Sequence, residues 1–299
     1  MKNQRIILTL IAALAAASSY AGYASAQDDL AEEHREARRR GEISPGTQTP
    51  SRASMVTTLT SGSPGAIQAA LEYGERVECH ECVPVVARYA LEHDDALVRE
   101  MSAWWLRRRI FSIGEVVVHM RGVLESDSDP VRRGRAAAAL GEILDPKSLD
   151  PLTVATSDDS PIVRASAIRA LGRLNHPQSH GAVAAGLEDS DVDVRRAVLD
   201  VALTMNFFRE EEALIGALDD ADAEVRMRAA RILGALRSID AVPALEAILV
   251  GDANRDARQA AAYALGRAGG AEARSALSAA LASEQDSLVL DAVEVALAM

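Results

Sequence analysis

Residues 158–172 read DDSPIVRASAIRALG and contain the pattern that decides the fold of this chain. Asp158 is followed six residues later by Arg164, and Arg164 is followed seven residues later by Leu171 and then by a glycine. The leucine position recurs about every 31 to 34 residues, at Leu106, Leu140, Leu171, Leu233, Leu265 and Leu297, with Ala202 in the one gap. A fixed period of this length predicts a stack of similar structural units.

The aspartate and the arginine recur with the leucine. The arginines are Arg99, Arg133, Arg164, Arg195, Arg226 and Arg258, and the aspartates are Asp127, Asp158, Asp189, Asp220 and Asp252. A guanidinium can bind a carboxylate and turn carbonyls at the same time, since it carries five donors in a planar fork. We expect these residues to form an internal ladder that joins neighbouring repeats. A catalytic role is not favoured, because no pair differs from the rest.

Positions near the repeated leucine differ in polarity. The residues one and four positions before it are small or apolar, which predicts that they face the core of a helical array. The residue two positions before it is mostly polar and is expected to be exposed. This column consists of Trp104, Ala138, Arg169, Asp200, Arg231, Tyr263 and Val295.

Each unit is expected to be a pair of helices. Pro130 lies early in one predicted helix, which continues through Leu140 and is expected to end from Gly141 onward. A short loop with Pro146 precedes a predicted helix near Leu149–Val154. Little of the chain alternates with period two, so an all-α fold without strands is predicted.

The Asp-x5-Arg pair and the Ala-Leu-Gly ending, as in Ala170-Leu171-Gly172, resemble HEAT repeats of the short, phycobilisome lyase-like type. The resemblance implies a right-handed α-solenoid of about seven helix pairs, in which the arginine-bearing helix is second and lines the concave side. It also implies a non-catalytic scaffold or adaptor that binds a protein partner on this surface. A lyase-like enzyme acting on a bilin-bearing protein follows from the resemblance alone, and no residues here match such an activity.

Three regions are predicted along the chain. Residues 1–26 have a basic start, an apolar run and the small residues Ala24-Ser25-Ala26, as in a secretory signal peptide. Residues 27–62 are expected to be a flexible tether, because Gly41–Pro64 is rich in Ser, Thr, Gly and Pro. Residues 63–299 are expected to form the repeat domain. The protein is therefore expected to be exported, either periplasmic or secreted.

The composition limits the classes of partner. The formal net charge is −12 and becomes −14 without residues 1–26, because Lys2 and Arg5 are lost. Nucleic-acid binding is not expected, since it requires clustered basic residues. Membrane association after signal cleavage is not expected either, and no cofactor is predicted. A protein partner is the favoured ligand.

Cys79-His80-Glu81-Cys82 contains the only two cysteines of the chain. Three interpretations remain open: a local structural disulfide, a redox-active dithiol before a helix, and a metal site with His80 or His93 as an extra ligand. Two cysteines do not complete a tetrahedral zinc site, and no second cysteine pair is present. A redox or metal-handling protein using Cys79 and Cys82 is therefore the alternative to the scaffold.

Residues 104–109 read WWLRRR and include both tryptophans of the chain. Trp105 falls in a buried column and Trp104 in the exposed column, with Arg108 placed to form a cation–π pair with Trp104. Exposed Trp and Arg are frequent at protein interfaces. Trp104, Arg107, Arg108 and Arg109 are therefore predicted to contact a partner, against the alternative that Trp104 packs against an atypical terminal repeat.

Overall fold

A computed structural model describes residues 49–109, 113–205 and 208–299. Within these ranges the chain forms sixteen α-helices and no strand, arranged as an α-solenoid of eight consecutive helix pairs. The first helices of the pairs are α1 (Arg52–Ser61), α3 (Val83–Glu92), α5 (Ile113–Ser126), α7 (Leu149–Ala155), α9 (His180–Ala185), α11 (Glu211–Gly216), α13 (Val242–Gly251) and α15 (Gly270–Ser283). The second helices are α2 (Pro64–Tyr73), α4 (Ala96–Leu106), α6 (Pro130–Ile143), α8 (Pro161–Leu174), α10 (Val192–Ala202), α12 (Ala223–Leu236), α14 (Arg255–Ala268) and α16 (Ser287–Leu297).

The first pair corrects the predicted tether. Residues 52–61 form helix α1, although the segment up to residue 62 was expected to be flexible. Met55 and Leu59 lie one turn apart and are 0% and 1% exposed, and Ser51 caps the helix through its side chain. Two apolar positions among Ser and Thr give a weak periodic signal, which explains why the helix was missed. The predicted signal peptide, residues 1–26, and residues 27–48 of the predicted tether lie outside the described part of the chain.

The helix starts follow a regular rule. In the fifth pair, Asp191 accepts a hydrogen bond from the backbone N–H of Asp193 and so caps α10. The capping residue lies two positions after the ladder aspartate, as in Asp189-x-Asp191. The same position caps α6, α12, α14 and α16, through Asp129, Asp222, Asn254 and Asp286.

The repeated glycine lies inside the second helix rather than at its end. Helix α6 continues past Gly141 to Ile143, and the left-handed residue that ends it is Leu144. A Cβ placed on Gly141 would lie 2.6 Å from the Cα of Ala170 in α8. Gly172, Gly234 and Gly266 face Val201, Ala264 and Ala296 in the same way. The expectation that α6 begins to end at Gly141 is therefore wrong. Gly141 instead allows two second helices to approach closely, because it has no side chain.

The core is one continuous layer between first and second helices, made largely of Ala, Leu, Val and Ile. Every repeated leucine from Leu106 to Leu265 is 0% exposed. The second helices pack on one another more extensively than the first helices do. None of the described helices has both the length and the apolar character needed to cross a bilayer.

Candidate protein-binding surface

The arginines and aspartates of the repeat form a continuous ladder through the middle of the array. Arg164 donates from Nε and Nη2 to the two carboxylate oxygens of Asp189 in the next repeat, at 2.6 and 2.7 Å. Its Nη1 donates to the backbone carbonyl of Asp158 in its own repeat, at 2.9 Å. Equivalent rungs join Arg133 to Asp158, Arg195 to Asp220, Arg226 to Asp252 and Arg258 to Glu284. Each rung therefore ties one helix pair to the next.

The carboxylates of the ladder also order the turns before the second helices. Asp189 accepts the backbone N–H of Asp191 at 2.9 Å, in addition to the fork of Arg164. The hydrogen bond from Arg164 lowers the pKa of Asp189, and the bond from Arg226 lowers the pKa of Asp252. The rungs are alike in geometry, which is the arrangement expected of a structural element rather than of a catalytic pair.

The ladder differs at its two ends. At the C-terminal end Glu284 replaces an aspartate, and its longer side chain still accepts from Nε of Arg258 at 2.9 Å. At the other end Arg99 donates to the carbonyls of His93 and Asp94, and no hydrogen bond among the described residues joins it to Asp127. Asp127 lies 28 residues after Arg99, whereas bonded pairs are 25 or 26 residues apart. The extra residues between the first and second arginine-bearing helices therefore interrupt the ladder.

Trp105 and Arg109 form the centre of an N-terminal cap. Trp105 is fully buried, and its Nε1 donates to the carbonyl of Gly74 at 3.1 Å. The guanidinium of Arg109 lies 3.8 Å from the centre of the Trp105 ring and donates to the carbonyls of Gly74 and Glu75. Arg109 is only 3% exposed. Its prediction as a partner-contacting residue is wrong, because the side chain is buried and its Nη2 donor and its stacking face are used inside the protein.

Trp104 and Arg108 lie at the edge of this cap. The guanidinium of Arg108 is 5.2 Å from the centre of the Trp104 ring, as the spacing predicted, and it also pairs with Glu75. Trp104 is half-buried against the core rather than fully exposed, and Arg107 is half-buried as well. The surface-accessible part of the predicted patch is therefore Trp104, Arg107 and Arg108.

Cys79 and Cys82 are joined by a disulfide in the turn before α3. Both residues are 1% exposed and belong to the hydrophobic core. His93 accepts the backbone N–H of Asp95 through Nδ1 and packs edge-on against Tyr89, so it is part of a turn. Among the residues that the structure describes, no group of three or more His, Cys, Asp or Glu side chains is arranged to hold a metal ion.

The exposed side of the second helices, here called the second-helix face, carries a charge network that sequence reasoning missed. Arg196 contacts Asp222 at 2.8 Å and Glu224 at 3.4 Å. Arg228 contacts Glu224 at 2.6 Å and also pairs with Asp200. The network connects α10 to α12. The charged residues of these two helices could not be paired from the sequence, because nothing in the sequence shows which of them are close across repeats.

The column two positions before the repeated leucine runs along the second-helix face. Most of its members are exposed, and Tyr263 and Val295 are 45% and 37% exposed. Arg169 is exposed and Arg231 half-buried, and neither forms an ion pair with another described residue. The column therefore offers one side chain per repeat, of a different chemical type each time.

The sequence profile of HEAT repeats matches residues 118–204 and 211–298, together more than half of the chain. This chain belongs to the HEAT-repeat family. The match begins in helix α5, so it leaves out the cap that contains Cys79, Trp105 and Arg109. No curated protein sequence matches this HEAT-repeat protein.

Solved structures with similar folds are distant in sequence. The Escherichia coli protein YibA is 15% identical, with a TM-score of 0.55, over 82% of this chain and 92% of that one. Kap121p, in a crystal structure in which it is bound to Ste12p, is 15% identical with a TM-score of 0.57 over 81% of this chain and 32% of its own. The complex of CpcE and CpcF of phycocyanin lyase from Nostoc is 17% identical with a TM-score of 0.37, over 84% of this chain and 98% of that one. The first two similarities show the α-solenoid fold.

Proposed function

We propose that this HEAT-repeat protein is an exported, non-catalytic scaffold that binds a protein partner across the second-helix face, which we expect to be the concave side. The observation that carries the proposal is the exposed column of that face. Its seven positions hold Trp, Ala, Arg, Asp, Arg, Tyr and Val in order, whereas the ladder and the core positions are nearly uniform. A stacked array with a varied, exposed column suits recognition of an extended surface.

The side chains of this column are suited to protein contacts. Trp, Tyr and Arg are the residues that most often dominate binding energy at protein interfaces. Trp104, Arg169, Arg231 and Tyr263 provide all three types along one face. A solved structure with this fold, Kap121p bound to Ste12p, holds a protein partner. That precedent supports the class of partner and says nothing of its identity.

Neither competing activity has a specific observation in its favour. The dithiol alternative requires accessible thiols, whereas Cys79 and Cys82 are bonded to each other and 1% exposed. The lyase alternative has no residue assigned to it. Export rests on residues 1–26, outside the described structure, and the intact mass of the protein made in its own host tests it. Cleavage before Gln27 is the expected result, and a mass that retains the first 26 residues contradicts export.

Site-specific photo-crosslinking in the native host tests the binding face. A photoreactive residue at Ala138 or Tyr263 on the second-helix face is expected to give a discrete adduct with one protein. Matched control positions are Val154 and Val250, which are 75% and 66% exposed on the opposite helices. Adducts at the control positions with none at Ala138 or Tyr263 would place the interface on the other side. No adduct at any of the four positions would contradict a protein-binding role.

A further inference from the structure

A groove of about 590 Å³ lies near the last two helix pairs, where the end of α14 meets the start of α15 and the end of α16. Three arginines line it, Arg237, Arg267 and Arg274, and no Asp or Glu side chain does. The chain as a whole contains 44 acidic and 32 basic residues, so a groove whose charged side chains are all arginines departs from its average surface. The local potential of the groove is therefore expected to be positive.

The three arginines lack the partners that the ladder arginines have. Among the described residues, none of them forms an ion pair. The Nε of Arg267 is buried and has no hydrogen-bond partner. A buried donor without an acceptor is unfavourable. An oxyanion in the groove would supply a counter-charge to the guanidiniums that line it.

The backbone at the same place is suited to an anion. Helix α15 has fourteen residues and begins directly after Gly269, which has no side chain to accept hydrogen bonds from the first turn. Gly269 and Gly270 both have positive φ, at 71° and 88°. Free N–H groups at a helix start, together with the helix dipole, favour negative charge. Glu272 lies in this first turn and does not line the groove.

The rest of the lining is less polar. Leu277 and Leu297 also line the groove, and Tyr263, which is 45% exposed, contributes an aromatic ring. We propose that this groove is a second binding site, which takes a small organic molecule carrying two or more phosphate or carboxylate groups. The charged groups bind the guanidiniums and the start of α15, and the body of the molecule packs against Tyr263. The site does not depend on the proposed protein-binding role.

Isothermal titration of the full mature chain with pyrophosphate and, separately, with citrate tests this site. At low salt we expect saturable binding of at least one probe at one site. Tighter binding of pyrophosphate indicates a phosphate ligand, and tighter binding of citrate indicates a carboxylate ligand. Arg267→Gln and Arg274→Gln are each expected to weaken binding at least about tenfold, since each removes a charge-assisted hydrogen-bond donor. Arg76→Gln is the matched control: it removes an exposed arginine in the turn between α2 and α3 that forms no ion pair with another described residue, and it is expected to leave affinity unchanged.

Thermal unfolding provides a second measurement that detects misfolded variants. The bound probe is expected to raise the Tm of the wild type and of Arg76→Gln, but not of Arg267→Gln. Arg274→Lys keeps the charge without the planar fork and is expected to bind with intermediate affinity. Absence of saturable binding by both probes overturns the proposal. An equal loss of affinity in Arg76→Gln also overturns it, because the binding would then reflect the overall charge of the protein rather than this groove.

Discussion

The interface between α6 and α8 and the interface between α10 and α12 are built from the same repeat but pack differently. Both carry a rung, Arg133 to Asp158 in the first and Arg195 to Asp220 in the second. At the first interface Gly141 lets the helices approach closely, whereas Leu203 takes the glycine position at the second, where the helices pack less extensively. The comparison shows that the rung and the glycine act separately: the rung fixes the register of two repeats, and the glycine sets their distance.

A third interface, between α4 and α6, lacks both features. Arg107 stands at the glycine position, and Arg99 does not reach Asp127. The helices again pack less extensively than at the glycine-bearing interfaces. Instead, Trp105 and Arg109 hold the preceding loop at Gly74 and Glu75. The α2–α4 interface also packs less extensively, so the closely packed second helices form two segments, α6 to α10 and α12 to α16, which meet at the looser α10–α12 interface.

Acid is expected to have the largest effect, because it weakens several rungs at once. Arg164 and Arg226 lower the pKa of Asp189 and Asp252 in the folded protein. Their stabilisation is complete above the unfolded value of about 4 and is lost as pH falls through the lowered folded values. Urea unfolding midpoints measured from pH 7 down to pH 2.5 should fall mainly below about pH 4. Asp189→Asn, which cannot be protonated, should be less stable at pH 7 and show a smaller pH dependence; an equal dependence would contradict this role of the rung.

Removing one rung at the looser interface is expected to separate the array into two unfolding units. Arg195→Ala leaves Asp220, whose side chain is 8% exposed, without its partner, at a cost of about 3 kcal/mol. Both tryptophans lie in α4, so fluorescence reports the N-terminal part while far-UV circular dichroism reports all helices. The two urea transitions should no longer coincide in Arg195→Ala.

Arg164→Ala is the matched control for that separation. It removes an equivalent rung at an interface that Gly172 keeps closely packed. Stability should fall by a similar amount, but the transitions seen by fluorescence and by circular dichroism should shift together. Coincident transitions in both variants would mean that the α10–α12 interface is no weaker than its neighbours.

Glycine-to-alanine changes are expected to have a smaller effect on the free energy of unfolding, of opposite sign at Gly141 and at Gly122. Gly141→Ala places a Cβ 2.6 Å from Ala170 and should cost about 1–3 kcal/mol of unfolding free energy. The same change at Gly122 in α5, where nothing lies within 4 Å, should stabilise by about 0.5–1 kcal/mol because alanine is the better helix former. Urea unfolding of the two variants measures both values. A neutral or stabilising Gly141→Ala would show that close approach does not depend on the glycine.

The smallest predicted effect concerns the residue that ends α6. Leu144 has φ 59° and ψ 41°, a left-handed conformation that is unfavourable for a side chain with a Cβ. Leu144→Gly should stabilise by about 0.5–1 kcal/mol, since Leu144 is 40% exposed and loses little packing. Asn175→Gly, at the equivalent end of α8, should gain less because asparagine tolerates this conformation. Equal gains in thermal or urea unfolding would contradict the explanation by backbone strain.

The repeat period predicted the helix pairs, the buried leucines and the residue types of the ladder. These features follow from spacing alone, because a helix face and a turn each recur at a fixed offset. The role of Gly141 did not follow, since glycine also ends helices and only the neighbouring helix distinguishes the two uses. The N-cap column was missed for a similar reason: two aspartates two residues apart look equivalent until their hydrogen bonds are seen.

The N-terminal cap was the part least predictable from sequence. Arg109 belongs to a run of three arginines, which is typical of a solvated helix end, yet it stacks on Trp105 inside the protein. Its acceptors are the backbone carbonyls of Gly74 and Glu75, and a contact with a backbone carbonyl cannot be predicted from residue type, since every residue has one. The grouping of Arg237, Arg267 and Arg274 in one groove was also hidden, because they come from the ends of separate helices.

Native-state hydrogen exchange followed by mass spectrometry tests the central claim most directly, that glycine-bearing interfaces hold the array more tightly than the α10–α12 interface. We predict that amides of α8 (161–174) and α14 (255–268) are the most protected. Amides of α10 and α11, in residues 192–205 and 208–216, should exchange through a lower-energy opening. Equal protection of α10 and α8, or faster exchange in α8, would contradict the account.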